Sequence, residues 1–543
     1  MNKPLSSHSV STIRKAAALA ACIGLAATGA VACSPNGGDA NGPGSAAEEN
    51  LAPPFGIDSA QAELAADPKG VKALQRFFEE TPDRIVVAGA GQPDQLAAAR
   101  AAIADGVPLL VADSATDADV IAAIEESGAD SVTAYGADVS AMVIEGVEVN
   151  VGETSPEQEP APALTDLQSP AGLSPQGRTD TMAPEEAESI EQAGRLVAAA
   201  AAAQPAETVD ATVFVTADTG VAATATARAA GARVLLLPVG DPRATPESME
   251  AVSGGKFLAM GQDFGPQERF DGAVELAANG ELPGGGGLVF PGRRMIALYG
   301  HPSGPALGLM GEQPAEEAVA RVQAMVEEYQ QHTQEPVIPA FEIIATVASD
   351  APGKDGDYAN ETAVEDLIPY VDAITEAGGY AVLDLQPGRA SLVDQARMYE
   401  ELLKRPHVGL ALDPEWKIAP DEVPMTNIGH VDAAEVNEVA DWLAALVREN
   451  NLPQKGLILH QFQLQMIRDR ETIRTDQPEL SWILHADGHG SHGQKIETWN
   501  ALRQDLSPDF SMAWKNFLDE DTPMYTPAET FALDPRPWFV SYQ

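Results

Sequence analysis

The sequence predicts an α/β protein: duplicated three-layer α/β units followed by a (β/α)8 TIM-like barrel that lacks the last helix. Three observations predict it. Short apolar runs alternate with helical stretches along most of the chain, the pattern of parallel sheets covered by helices. The first set of strands and helices recurs once in the same order and spacing. The last ~250 residues then divide into eight strand-and-helix units, the number and size of a (β/α)8 barrel. The chain has 543 residues, and such a length suggests about three or four domains.

Residues 1–32 contain Lys3, Arg14 and Lys15 and no acid, followed by an apolar run over 16–27. A basic start, a short apolar stretch and small residues form a secretory signal. The run is shorter than the roughly 20 residues of a membrane span. Its end, Ala30-Val31-Ala32-Cys33, resembles the lipobox of bacterial lipoproteins. That resemblance implies cleavage before Cys33, lipidation of Cys33, and an extracytoplasmic protein anchored to the cell membrane. Ordinary signal cleavage beside an incidental cysteine is the alternative. Residues 33–55, rich in Gly, Pro, Asn and Ser, read as a flexible tether.

Residues 56–150 form the first α/β unit. Its strands are expected at 84–89, 107–113 and 131–136, with helices at 92–104 and 117–127. Residues 151–183, rich in Pro, Glu, Gln and Ser, read as a linker. The second unit, 184–283, repeats the order with strands at 211–217, 233–238 and 256–261 and helices at 189–202, 220–230 and 245–252. The segments Arg84-Ile-Val-Val-Ala-Gly, Pro93-Asp94-Gln95-Leu96, Gly106-Val-Pro-Leu-Leu-Val and Asp130-Ser-Val-Thr-Ala-Tyr-Gly resemble the cell-wall-binding repeats of bacterial surface proteins. The resemblance implies binding of a wall polymer through assembled repeats. A plain duplicated scaffold is the other reading of the same pattern.

Composition restricts the function. With 33 Lys and Arg against 81 Asp and Glu, the formal charge is −48. Nucleic acid is excluded as a partner, because phosphate binding needs clustered cations. Docking on anionic lipid is opposed for the same reason. The only cysteines are Cys22 and Cys33, so no disulfide framework or catalytic thiol is available downstream.

The barrel occupies 288–543. All six tryptophans and eight of the nine histidines lie beyond the glycine run at 284–287. Strands are expected at 294–299, 340–347, 380–385, 408–412, 456–460, 480–485, 510–515 and 538–542. Helices are expected at 315–331, 362–377, 392–403, 433–450 and 495–504. Alternate strand residues face the interior of a barrel. In Gly409-Leu-Ala-Leu-Asp-Pro-Glu415 the small and acidic residues share one face and the leucines the other. The same alternation turns inward Tyr299, His301, Glu342, Asp384, Gln386, His460, His485, Asp487 and Lys515. Ionisable groups thus gather at the carboxyl ends of the strands, where barrel active sites are built.

Paired carboxylates beside aromatic rings suit glycosidic chemistry, which needs an acid and a base or nucleophile. The candidate catalytic residues are Asp384, Asp413, Glu415, His460, His485, Asp487 and Lys515. Candidate substrate contacts are Tyr299, His301, Glu342, Gln386, Trp416, Gln461 and Trp514, the tryptophans by stacking on sugar rings. Asp413 is expected to be held ionised by His460 or Lys515, leaving Glu415 as the proton donor. No cofactor and no metal is assigned. The alternatives are a barrel that only holds a ligand and, third, a metal-dependent hydrolase using His301, His460, His485, Asp487 and His489. Asp519-Glu520-Asp521 reads as a solvated acidic cluster at a helix N-terminus or in a loop.

The blocks Asp384-Leu-Gln-Pro-Gly-Arg389, Ala411-Leu-Asp-Pro-Glu-Trp416, Ile428-Gly-His-Val-Asp-Ala-Ala-Glu-Val-Asn437, His460-Gln-Phe462, Trp514-Lys-Asn-Phe517 and Phe539-Val-Ser-Tyr-Gln543 resemble uncharacterised lipoproteins of high-GC Gram-positive bacteria. That resemblance implies fold and location and carries no activity.

Overall fold

The structure is a computed structural model that describes residues 55–78, 82–154 and 184–543. The signal, Cys33 and nearly all of the tether and linker lie outside the described residues.

Two four-stranded parallel sheets come first. One is built from β2 (Arg84–Ala88), β3 (Leu109–Val111), β4 (Ser131–Tyr135) and β5 (Glu148–Val151), in the order β3-β2-β4-β5. The other uses β6 (Thr212–Val215), β7 (Arg233–Leu236) and β8 (Phe257–Met260), with β6 central. Its fourth strand, β1 (Gln61–Glu63), comes from the start of the described chain and pairs with β8, Gln61 opposite Leu258. The sheets therefore share one topology in three strands and differ in where the edge strand comes from.

Local chemistry fixes the helices. Gln92–Asp105 carries Pro93 and Asp94 in its first turn and stops at Gly106 in the left-handed region, φ 65°. There a Cβ would be strained. Asp117 caps Ala118–Ser127 by accepting from the Val120 amide, which satisfies an otherwise orphaned donor. Alanines on Gln92–Asp105, Pro184–Ala202 and Val221–Ala229 pack together in one core, Ala98, Ala102, Ala222 and Ala225 among them. Their small side chains let helices from the two units approach closely.

The eight expected strands close into a parallel barrel: β9 (Arg294–Gly300), β10 (Val337–Ala348), β11 (Tyr380–Leu385), β12 (Val408–Leu412), β13 (Lys455–Gln461), β14 (Leu480–Ala486), β15 (Ser511–Asn516) and β16 (Phe539–Tyr542). Closure is made by β9, which pairs with both β10 and β16. The β10 strand bulges between Ile344 and Thr346 and then pairs antiparallel with Ala359–Glu361.

The alternation sorts the interior from the exterior. Met295, Ala297, Ala340, Val382, Ala411, Ile458, Ile483 and Ala513 share the inner cluster with Phe290, which belongs to the segment before β9. Leu298, Phe341, Leu383, Leu410, Leu412, Leu459 and Leu484 pack outside with the helices. A Cβ on Gly409 would meet the Tyr380 ring at 3.0 Å and the Gly456 carbonyl at 2.8 Å. Glycine is required there because the large Tyr380 side chain crowds that layer of the interior.

Candidate functional site

Above the apolar layers, the inward alternation continues into polar residues. Tyr299 is the penultimate residue of β9, Glu342 lies in β10, Asp384 is the penultimate residue of β11 and Asp413 follows β12. His460 and His485 are the penultimate residues of β13 and β14, Asp487 lies just beyond β14, and Lys515 and Ser541 come from β15 and β16. All eight strands thus contribute a polar side chain.

His460 is the centre. Its Nε2 lies 2.8 Å from Oε1 of Glu342 and its Nδ1 2.9 Å from Oδ2 of Asp487. Asp384 Oδ1 stands 4.0 Å from the same Nε2. Tyr299 donates its hydroxyl to Oδ2 of Asp384 at 2.8 Å, and Gln386 donates to the Tyr299 oxygen at 3.2 Å. His485 Nδ1 lies 3.5 Å from Oε1 of Glu342, while its Nε2 meets the Ser541 hydroxyl at 3.1 Å. The Lys515 ammonium sits 3.6 Å from the centre of the Tyr299 ring, a cation–π contact.

The protonation pattern follows from burial and neighbours. Burial opposes the charge on Glu342, yet His460 and His485 overcome it and hold the carboxyl well below its usual value. Asp487 is also lowered, against its burial, by the hydrogen bond and charge of His460. His460 is raised well above the usual imidazole value: burial resists, and Glu342 and Asp487 prevail. A charged imidazolium therefore lies between two carboxylates. His485 is lowered by burial, with Glu342 opposing.

The remaining acids go the other way. Burial, with Glu342 nearby, pushes Asp384 up to about 6. Burial and the Asp487 charge push Glu415 up to about 7. Asp413 is raised well above its usual value by burial, His460 opposing and Asp384 and Asp487 adding to it. The expectation that Asp413 is the ionised partner is thus corrected. Glu342 and Asp487 take the bonds of His460, and Asp413 Oδ1 is buried with no partner.

Buried atoms without partners also include Oε2 of Glu342, Oδ1 of Asp384, Oδ1 of Asp487 and Nδ1 of His485. Two triads, Glu342–His460–His485 and Asp413–His460–Asp487, each bring three possible ligand atoms within 4.8 Å of one another. Both depend on His460, whose two ring nitrogens are each engaged by a carboxylate.

Other candidates fall outside the cluster. Trp514 is 1% exposed and packs among the outer residues against Trp499 and Tyr525. Gln461 turns to the loop, donating to the carbonyls of Gln463 and Leu464 and accepting from Arg470. His301 bonds Ser303 and Thr362 rather than the cluster. Trp416 and Glu415 occupy the half-buried turn Pro414–Trp416 directly after Asp413. His489 packs against the Phe517 ring.

Asp521 is not solvated. It is 5% exposed, pairs with Lys495 at 2.7 Å and accepts from the Gly490 and Phe517 amides. Sequence reasoning also missed Ser541, although its place two residues past inward-facing Phe539 carries the alternation signal.

No family model matches the chain, and no curated protein matches it. Among solved structures, a chain named Cwp6 from Clostridium difficile is similar, at 10% identity and a TM-score of 0.28. The match covers 60% of this chain and 62% of that one, less than two thirds of its length. A likeness of that degree carries no argument about fold or activity.

Proposed function

We propose that the barrel hydrolyses a glycosidic bond in a cell-wall glycan, with Glu415 as the general acid and Asp487 as the base or nucleophile. The observation that carries this reading is the separation of two neighbouring acids. Glu415 keeps its proton to about pH 7, while Asp487 is held ionised by His460. Neighbouring carboxyl groups pushed apart in this way supply the two roles that glycosidic cleavage needs. Glu415 passes its proton to the departing oxygen, and Asp487 attacks the sugar carbon or takes the proton of an attacking water. Tyr299 fixes Asp384 through its hydrogen bond, and Lys515 lies against the Tyr299 ring. Glu415→Gln removes most turnover on wall-derived glycan while leaving glycan binding intact, and wild-type turnover in that variant overturns the assignment.

A ligand-holding barrel without catalysis is the second reading. It draws support from the depth of the cluster, since Glu342, Asp384, His460 and His485 are each 0% exposed. Wild-type protein that binds the glycan and never cleaves it decides for this reading. In both, Cys33 anchors the protein to the outer face of the cell membrane and the duplicated α/β units hold wall polymer. Cys33→Ala releases the protein into the medium if the anchor is the lipid.

A further inference from the structure

At the opposite end of the barrel lies a cleft of about 570 Å³. One wall is the carboxyl edge of the second sheet, with Thr216 after β6, Gly240 after β7 and Asp263 after β8. In that sheet β7 lies on one side of β6 and β8 on the other. The chain reverses its strand order there, which opens a crevice outside the strand ends. The other wall is the amino-terminal rim of the barrel, with the rings of Trp482, Phe510 and Trp538. A junction between two folded units is itself a favoured place for ligands, and the volume lies within the range that holds a small molecule.

Two residues that line the cleft each carry a buried polar atom without a partner. Trp482 is 1% exposed, and its Nε1–H has no acceptor. Gln477 also lines the cleft, and its Oε1 has no donor although its amide nitrogen bonds Asp441. Leaving a buried donor and acceptor unmet costs free energy. A hydroxyl satisfies both kinds of group, since it donates once and accepts twice.

Charge narrows the ligand further. Arg243 is committed to Asp241 through two bonds of 3.0 and 2.7 Å and to the Pro478 carbonyl at 2.9 Å. Asp218, Asp263 and Asp509 also line the cleft, with Arg269 as the other arginine. That excess of carboxylates repels phosphate and other anions. We propose that the cleft binds a short, uncharged saccharide, its hydroxyls meeting Trp482 Nε1–H and Gln477 Oε1.

The proposal does not rest on the catalytic reading. The test titrates chitotriose into the whole mature protein, followed by tryptophan fluorescence and calorimetry, with inorganic phosphate and ADP as comparison probes. Saturable chitotriose binding is expected, weakened about tenfold by Trp482→Phe and by Gln477→Leu and unchanged by Glu415→Gln. Gln477→Leu serves if Trp482→Phe fails to fold, because Gln477 is only half-buried. Absence of saturable binding at millimolar sugar, preferential binding of phosphate or ADP, or full affinity in folded Gln477→Leu overturns the proposal. Weakened chitotriose binding in Gln477→Leu with turnover retained separates the cleft from the catalytic site.

Discussion

His460 Nε2 lies 2.8 Å from Oε1 of Glu342, across 118 residues of sequence. The same ring holds Asp487 through its other nitrogen, so one cation serves two buried anions. Removing it leaves both carboxylates uncompensated. His460→Ala is therefore expected to cost about 3–5 kcal/mol, as breaking a buried ion pair does. Denaturant unfolding measures this, and adding Glu342→Gln to the variant is expected to restore part of the loss. An unchanged midpoint would mean that the imidazole is uncharged in the folded protein.

Glu415 makes stability depend on pH in the opposite sense to an ordinary salt-bridged acid. Its folded value of about 7 lies above the usual 4.5. Below pH 4.5 both states carry the proton and the group has no effect. Between 4.5 and 7 the unfolded chain ionises first, so stability falls as pH rises and stays lower above 7. Glu415→Gln removes that loss. The variant is expected to match the wild type at pH 4 and exceed it at pH 8 by on the order of 2 kcal/mol, discounted for partial exposure. Thermal unfolding at the two pH values checks this, and an equal shift at both would refute it.

The two tryptophans proposed from sequence as sugar platforms separate in the structure. Trp514 is packed against Trp499 and Tyr525, and its Nε1 donates to Asn516 at 2.8 Å. Trp514→Ala is expected to cost about 3–5 kcal/mol with no change in KM at temperatures where the variant is folded. Trp416, half-buried beside Glu415, is expected to raise KM when replaced by Ala. A raised KM for folded Trp514→Ala would place that ring at the substrate after all.

The difference between these residues was already in the alternation. Lys515 faces inward, so its neighbour Trp514 must face out, just as Gln461 must oppose His460. The barrel was legible because β-strand period, strand length and small or polar inward residues all agree along eight strands. The edge strand Gln61–Glu63 was not, because three residues without an apolar pattern become a strand only through pairing with β8. Asp521 was not either. Its acidic neighbours suggest solvent, and only folding brings Lys495 to 2.7 Å. Protonation was the least legible layer. Alternation shows which acids share the interior, but the choice of Glu342 and Asp487 as the ionised pair depends on where the His460 nitrogens point.

The pH dependence of turnover tests that choice most sharply. Under the proposed roles, Glu415 must be protonated, so kcat/KM falls about tenfold per pH unit above about 7. Asp487 must be ionised, and its value lies below the usual 3.8, so no acidic limb appears between pH 4 and 7. Asp384 in the same cluster titrates at about 6. Were Asp384 the base, the rate would fall below pH 6, as the rising proton occupancy removed the attacking charge. The shape of the profile therefore separates the two aspartates before any substitution is made. Glu415→Gln is then expected to lower kcat/KM roughly 10²–10⁴-fold, the usual contribution of general acid catalysis, and to abolish the limb above 7. A limb near 7 that survives in that variant would assign the essential proton to another group, and the acid role of Glu415 would be lost.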